Sequence, residues 1–169
     1  MQKIGFGGGC HWCTEAIFSA LKGVANVEQG WIDSTHPDAK TLSEAVIVHF
    51  ESHKIPLHVL IEIHLYTHNA TSNHSMRQKY RSAIYTFDKT QKLEAEAVMI
   101  EKQKLFDKTL VTKIYPFKSF KLNSEKFLNY YEKNRDKPFC SRYIEPKLAL
   151  LLREYADYVM TNASKQSLA

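Results

Sequence analysis

Ile4-Gly5-Phe6-Gly7-Gly8-Gly9-Cys10-His11-Trp12-Cys13-Thr14-Glu15-Ala16 is the stretch on which the reading of the fold turns. The apolar residues Ile4 and Phe6 mark a short strand that runs into three glycines. After Cys10 the spacing of Ala16, Ile17, Ala20 and Leu21 predicts one buried face of a helix. This order puts a cysteine at a first helical turn, where unpaired backbone N–H groups and the positive end of the helix dipole favour a thiolate. The glycines allow close approach to the sulfur, and Trp12 offers a flat apolar wall. The pattern points to a nucleophilic cysteine, with a buried structural cysteine as the plainer alternative.

Outward from this stretch, Gly23 marks the end of the helix, and Val24 to Gln29 reads as a strand ending at Gly30-Trp31. Residues 32–41, with Pro37, read as a surface loop, and the apolar run 45–50 as a buried strand. Pro56 suits the first turn of a helix reaching about Tyr66. Residues 67–79 are polar without clear periodicity. A strand over 81–87 precedes a helix over 90–106, marked by Leu93, Ala97 and Ile100, and a further strand covers 111–115. Ser124 is read as the cap of a helix over 126–133. Pro146 opens a last helix with Leu148, Leu151, Leu152 and Tyr155 facing inward. The order β-α-β-β-α-β-α-β-α-α predicts one α+β domain over residues 1–160. Its expected form is a two-layer α/β sandwich with a mixed or antiparallel sheet and a ferredoxin-like core. A flexible tail is expected over 161–169.

The 169 residues suffice for one sizeable core. Of these, 23 are Lys or Arg and 18 Asp or Glu, and Glu101, Asp107 and Glu125 interrupt the lysines between Lys102 and Lys126. That mixture reads as a solvated helical face and not as a nucleic-acid patch. No apolar run has bilayer length and the first residues carry no signal-peptide stretch, so a cytoplasmic protein without a membrane partner is expected. Three cysteines, an odd count, argue against a disulfide framework.

Cys-x-x-Cys is also half of many zinc sites, but a closed site needs two more ligands. His11 lies inside the motif, whereas His64, His68 and His74 are distant in sequence. No metal and no bound cofactor are therefore expected. A general thiol–disulfide oxidoreductase would use the same dithiol after a strand, though the order of later elements does not match that fold. A non-catalytic protein that holds zinc or a small ligand without turnover is a third reading.

The ordered motifs resemble the A-type peptide methionine sulfoxide reductases over nearly the whole chain. Gly9-Cys10-His11-Trp12 is similar to the family's Gly-Cys-Phe-Trp. Leu21-Lys22-Gly23-Val24 with Gly30-Trp31, Glu44-Ala45-Val46, Ile63-His64 and Gln78-Lys79-Tyr80-Arg81-Ser82-Ala83-Ile84 resemble later segments. Tyr131-Glu132-Lys133-Asn134 and Phe139-Cys140 with Ile144-x-Pro146-Lys147-Leu148 resemble the C-terminal part.

The resemblance implies reduction of L-methionine (S)-S-oxide, free or in peptides, by a Cys10 thiolate, with Glu44 giving the proton to the departing oxygen. It further implies that Trp12 holds the methyl group, that Tyr80 binds the sulfoxide oxygen, and that a sulfenic acid forms on Cys10. Cys140 is the first choice as resolving thiol and Cys13 the second, with thioredoxin or another dithiol as reductant. The chain departs from the family in places. His11 stands where phenylalanine is usual and Trp31 where a tyrosine helps hold the oxygen. Ser75, with His74 beside it, replaces an acid that orients water, and Ser124-Glu125-Lys126-Phe127 replaces Glu-Asp-Tyr-His.

Overall fold

A computed structural model describes residues 1–160, so the expected tail over 161–169 lies outside the described residues. Five strands form the frame: β1 (Gln2–Gly7), β2 (Val24–Ser34), β3 (Ser43–Phe50), β4 (Ala83–Thr86) and β5 (Lys113–Leu122). Helices α1 (His11–Ser19), α2 (Leu57–Thr67), α3 (Lys89–Gln103), α4 (Tyr130–Lys133) and α5 (Glu145–Glu154) connect and follow them. The order of elements is the one read from the sequence. Among the described residues no helix is long and apolar enough to cross a membrane.

The architecture differs from the expected sandwich. The strands run β1-β3-β2-β5-β4, and β4 pairs back onto β1, which closes the sheet into a barrel. All pairings are antiparallel except β4 with β5. Closure gives the sheet an inside, and side chains fill it. Ile32, Ala45, Ile47, Ala83, Tyr85 and Tyr115 form one apolar cluster. A Cβ added to Gly5 on β1 would meet Tyr85 Cβ of β4 at 2.9 Å and an Ile32 methyl of β2 at 3.0 Å. Strands β2 and β4 are not neighbours, so these side chains meet across the interior. A two-layer ferredoxin-like sheet would leave that face to solvent; here both faces are packed, which is why β3 reads as a nearly continuous apolar run.

The outer face carries the larger core. Ile4, Phe6, Val46, Val48, Phe50 and Ile84 pack with Ile17, Phe18 and Leu21 and with the α2 residues Leu57, Leu60, Ile61 and Ile63. Phe6 and Phe18 stack at 4.8 Å between ring centroids, pinning α1 to β1 directly after the glycine turn.

Several local expectations are corrected. Strand β2 continues through Ile32 to Ser34, since Ile32 fills the barrel interior, so the loop begins later than read. Strand β5 extends to Leu122 because β2 offers it an edge from Gly30 to Ser34. Helix α3 turns the other way: Leu93 and Ile100 are exposed, and Gln91 and Ala95 are buried. In α5, Leu151 faces inward and Leu152 is exposed. Ser124 makes no side-chain cap, and the segment after it is a 3-10 turn (Glu125–Phe127) followed by the single-turn α4.

Filling the barrel interior tests the closed architecture. Gly5→Val is expected to lower unfolding stability in urea by roughly 2 kcal/mol or more through overpacking against Tyr85 and Ile32. On a solvent-facing sheet surface the same change would fall within about 0.5 kcal/mol.

Candidate active site

The glycine turn is built by its neighbours. A Cβ on Gly7 would meet the carbonyl oxygens of Arg81 at 2.9 Å and Glu44 at 3.1 Å, and one on Gly8 would collide with the His68 ring. Gly9 faces open space, which leaves an approach to the sulfur. The Gly7 carbonyl accepts a hydrogen bond from His64 Nε2 at 2.8 Å. The His68 ring contacts the His64 carbonyl and Ser82 Oγ. Burial pushes His64 well below its ordinary range and His68 down to about 4, so both are neutral supports of the turn. Arg77, in the polar segment 67–79, donates to the Gly8, Asn69, Ser72 and Tyr80 carbonyls, tying that segment to the turn.

Cys10 is the residue immediately before α1, half-buried, and its carbonyl accepts the Cys13 and Thr14 N–H groups. Glu44 reaches it through strand register: Gly7 pairs with Ala45, so Glu44 lies just beyond the end of β1, opposite the turn. The His11 N–H donates to Glu44 Oε2 at 3.2 Å. His11 Nδ1 lies 3.3 Å from the same oxygen, and Lys79 Nζ lies 3.9 Å from Oε1. Glu44 is 7% exposed, and burial raises its carboxyl pKa against the lowering effect of the His11 N–H and Lys79.

Cys10 and Cys13 share a hydrogen bond, and it divides their charge. The bond from Cys10 holds the Cys13 thiol below the ordinary range, opposed by burial and helped by Lys147. The same bond and burial push Cys10 up, while His11 and the Trp12 N–H favour its ionised form. Burial and the neighbouring thiol thus oppose ionisation at Cys10, while the same neighbour favours it at Cys13. Cys140 is fully buried in a π-helical turn (Cys140–Ile144) and belongs with Cys13, Ala16, Tyr130 and Ile144 to one apolar cluster against which Cys10 and Trp12 pack. All three cysteines are free.

The aromatic residues are only partly disposed as expected. Trp12 is covered by Tyr130, stacked at 3.9 Å, with Phe127 and Phe139 beside it. Trp31, across from Glu44 on the β2–β3 ladder, meets the His11 ring edge-on at 5.2 Å. Tyr80 is half-buried under Lys79, whose Nζ lies 5.1 Å from its ring centre, and so borders the site through that lysine. His74 and Ser75 are exposed; the His74 ring accepts the Met76 N–H. Sequence reading missed Lys79, Asn123, Tyr130 and Glu15. Glu15 is 3% exposed and accepts the Asn129 and Tyr130 N–H groups at 3.0 and 3.1 Å, which fixes Tyr130 over Trp12. An acid on the same helical face as Phe18 was its only signal.

Cys10 Sγ, a His11 ring nitrogen and a Glu44 oxygen lie within 4.8 Å of one another and could seat a thiophilic divalent ion. A cavity of about 720 Å³ lies elsewhere, with Lys40, Arg77, Arg81 and Lys113 in its lining. The hydrogen bonds of its two arginines go to backbone carbonyls and to the hydroxyls of Thr41 and Tyr85, which makes them structural. What the Cys10 site offers is a thiol, a proton-holding carboxyl and an open approach over Gly9.

A family model described as peptide methionine sulfoxide reductase matches residues 2–158. The chain is 33% identical over 175 aligned residues to the peptide methionine sulfoxide reductase MsrA of Acinetobacter baumannii (strain AYE), covering 96% of this chain and 100% of the relative. Among solved structures it is similar to Mxr1 of Saccharomyces cerevisiae in its reduced form, with a TM-score of 0.71 at 20% identity over 80% of this chain and 87% of that one. Mxr1 in complex with Trx2 matches with a TM-score of 0.60 at 20% identity, over 76% of this chain and 84% of that one. At these identities the structural likeness speaks for the fold.

A carboxyl whose folded pKa is raised weakens folding above its unfolded pKa, because only the unfolded chain ionises freely there. Glu44→Gln is therefore expected to be more stable than the parent at pH 7. The advantage should shrink to nothing as pH falls below about 4, the ordinary glutamate range, which urea unfolding across pH would show.

Proposed function

This chain belongs to the peptide methionine sulfoxide reductase family, and we propose that it works through Cys10 as nucleophile and Glu44 as proton donor. Its reaction is the thiol-dependent reduction of methionine sulfoxide to methionine. The carrying observation is the buried Glu44 carboxyl, raised in pKa and held by the His11 N–H at the helix start that bears Cys10.

Cys10 gives up its proton to Cys13 or to water, and the Cys10 thiolate attacks the sulfoxide sulfur. Glu44 protonates the sulfoxide oxygen. Collapse transfers that oxygen to Cys10 as a sulfenic acid and frees the thioether, so methionine gains two electrons and the thiol loses two. A second thiol then attacks the Cys10 sulfur, expelling water and forming a disulfide that an external dithiol reduces. Cys140 remains the first choice and Cys13 the second; the shared apolar cluster supports either, and Cys13 starts closest to the thiolate state. The S epimer, peptide or free methionine sulfoxide as substrate, and a thioredoxin as reductant complete the reading; the last is supported by the likeness to Mxr1, whose complex with Trx2 is known. Trp31 and Tyr80 border the sulfoxide, and His11 and Trp12 its methyl group. We give His74 and Ser75 no part in this chemistry.

With dabsyl-methionine sulfoxide and dithiothreitol, Cys10→Ser is expected to abolish turnover and Glu44→Gln to lower kcat on the order of a hundredfold. The shared Cys10–Cys13 bond favours a second reading, a general disulfide reductase. It predicts instead insulin reduction that is indifferent to Glu44→Gln. For resolution, thiol titration after one turnover should show two thiols lost in the parent and in Cys13→Ser, but a persisting sulfenic acid in Cys140→Ser.

A further inference from the structure

His11 stands at the reacting centre where the family has a ring that cannot donate, and its environment is polar in an ordered way. His11 is 3% exposed. Its Nε2 lies 3.3 Å from Asn123 Nδ2. The orientation of the Asn123 amide is fixed by its other bonds: Oδ1 accepts the Ser124 N–H at 2.8 Å, and Nδ2 donates to Gln29 Oε1 at 2.7 Å. Gln29 is fixed in turn, since its Nε2 donates to the Phe127 carbonyl at 2.9 Å. Turning the Asn123 amide over would set its N–H against the Ser124 N–H and its oxygen against Gln29 Oε1. Asn123 therefore presents an N–H to His11, and Nε2 must accept it. A ring nitrogen that accepts carries no proton, so the ring's proton is on Nδ1. That nitrogen has no other hydrogen-bond partner and faces Glu44 Oε2 at 3.3 Å, off the straight line of a hydrogen bond.

We propose that Asn123, braced by Gln29, is a positioning residue that locks His11 as the Nδ1–H tautomer, aiming this proton at the gap between Cys10 and Glu44. The inference rests on the reading of Cys10 and Glu44 as the reacting pair. Its consequence is specific. When Glu44 surrenders its proton, the carboxylate left behind faces two donors on one residue: the His11 N–H, already bonded to it, and the Nδ1–H, 3.3 Å away and needing only a small turn of the ring to align. The other titratable or charged groups around Glu44 are Cys10 and Cys13 from the start of α1 and Lys79 from the segment before β4. None of them depends on Asn123, so a change at Asn123 isolates the tautomer.

The test uses the whole chain labelled with nitrogen-15 at histidine. The parent should show His11 with a protonated Nδ1 and an unprotonated Nε2. In Asn123→Leu the ring should move toward the Nε2–H form that histidine favours in water, turning the Nδ1 lone pair toward Glu44. The alkaline limb of kcat/KM should then rise by about one pH unit. The plateau kcat should fall about tenfold with KM little changed. Gln29→Leu, which removes the brace and leaves Asn123 in place, should move both readouts the same way by less, and serves if Asn123→Leu does not fold. A parent spectrum with Nε2 protonated would overturn the proposal, as would an unmoved alkaline limb once the tautomer has changed. The spectrum needs no turnover, so it fails or succeeds apart from the assignment of the reaction.

Discussion

The register between β1 and β3 is the constraint on which the site depends. Because Gly7 pairs with Ala45, the strand that ends in the glycine turn and the strand that carries Glu44 finish side by side, and the carboxyl meets the first N–H of α1. Side chains alternate along a strand, so a slip of one residue would turn Glu44 to the opposite face and bring Ser43 or Ala45 to the turn instead. The register is well specified: Val46 and Val48 enter the outer core and Ala45 and Ile47 the barrel interior, so both faces of β3 resist sliding. Stability of the sheet and placement of the acid are one arrangement.

Electrostatics at the site is a matter of sharing. Each thiol of the Cys10–Cys13 pair shifts the other, Cys13 toward ionisation and Cys10 away from it. Glu44 leans the other way, toward keeping its proton, because burial outweighs the N–H and the lysine beside it. A thiol shifted toward ionisation and a carboxyl shifted toward protonation stand at one site, the two opposed leanings that general acid catalysis of an attack by thiolate needs. The polar chain from Phe127 through Gln29 and Asn123 to His11 gives this centre an ordered wall.

Much of this was legible locally. The strand, glycine turn and helix around Cys10 follow from the spacing of Ile4, Phe6, Ala16 and Ile17, and the order of elements follows from similar patterns. Barrel closure did not show, because pairing of β4 with β1 is a contact between distant segments that leaves no periodic trace. The phase of α3 was misread because Leu93 and Ile100 look like core residues and are exposed, while the buried face is held by Gln91 and Ala95. At the site, Cys10 was named from the glycine turn and helix start around it, and Glu44 by resemblance. Lys79, Tyr130 and Asn123 were not, since each joins only through the fold: Lys79 by the turn before β4, Tyr130 by the buried Glu15, and Asn123 by the β2–β5 end. His74 and Ser75, drawn in by position in the motif, stay at the surface.

In the proposed reaction, oxygen passes from methionine sulfoxide to the sulfur at position 10. The most direct measurement is a single turnover without reductant in the chain carrying both Cys13→Ser and Cys140→Ser, followed by sulfenic-acid trapping with dimedone and peptide mass spectrometry. One methionine released per chain and one trapped adduct, on Cys10, are expected. Methionine released without an adduct there, or no methionine released at all from a folded chain, would contradict it.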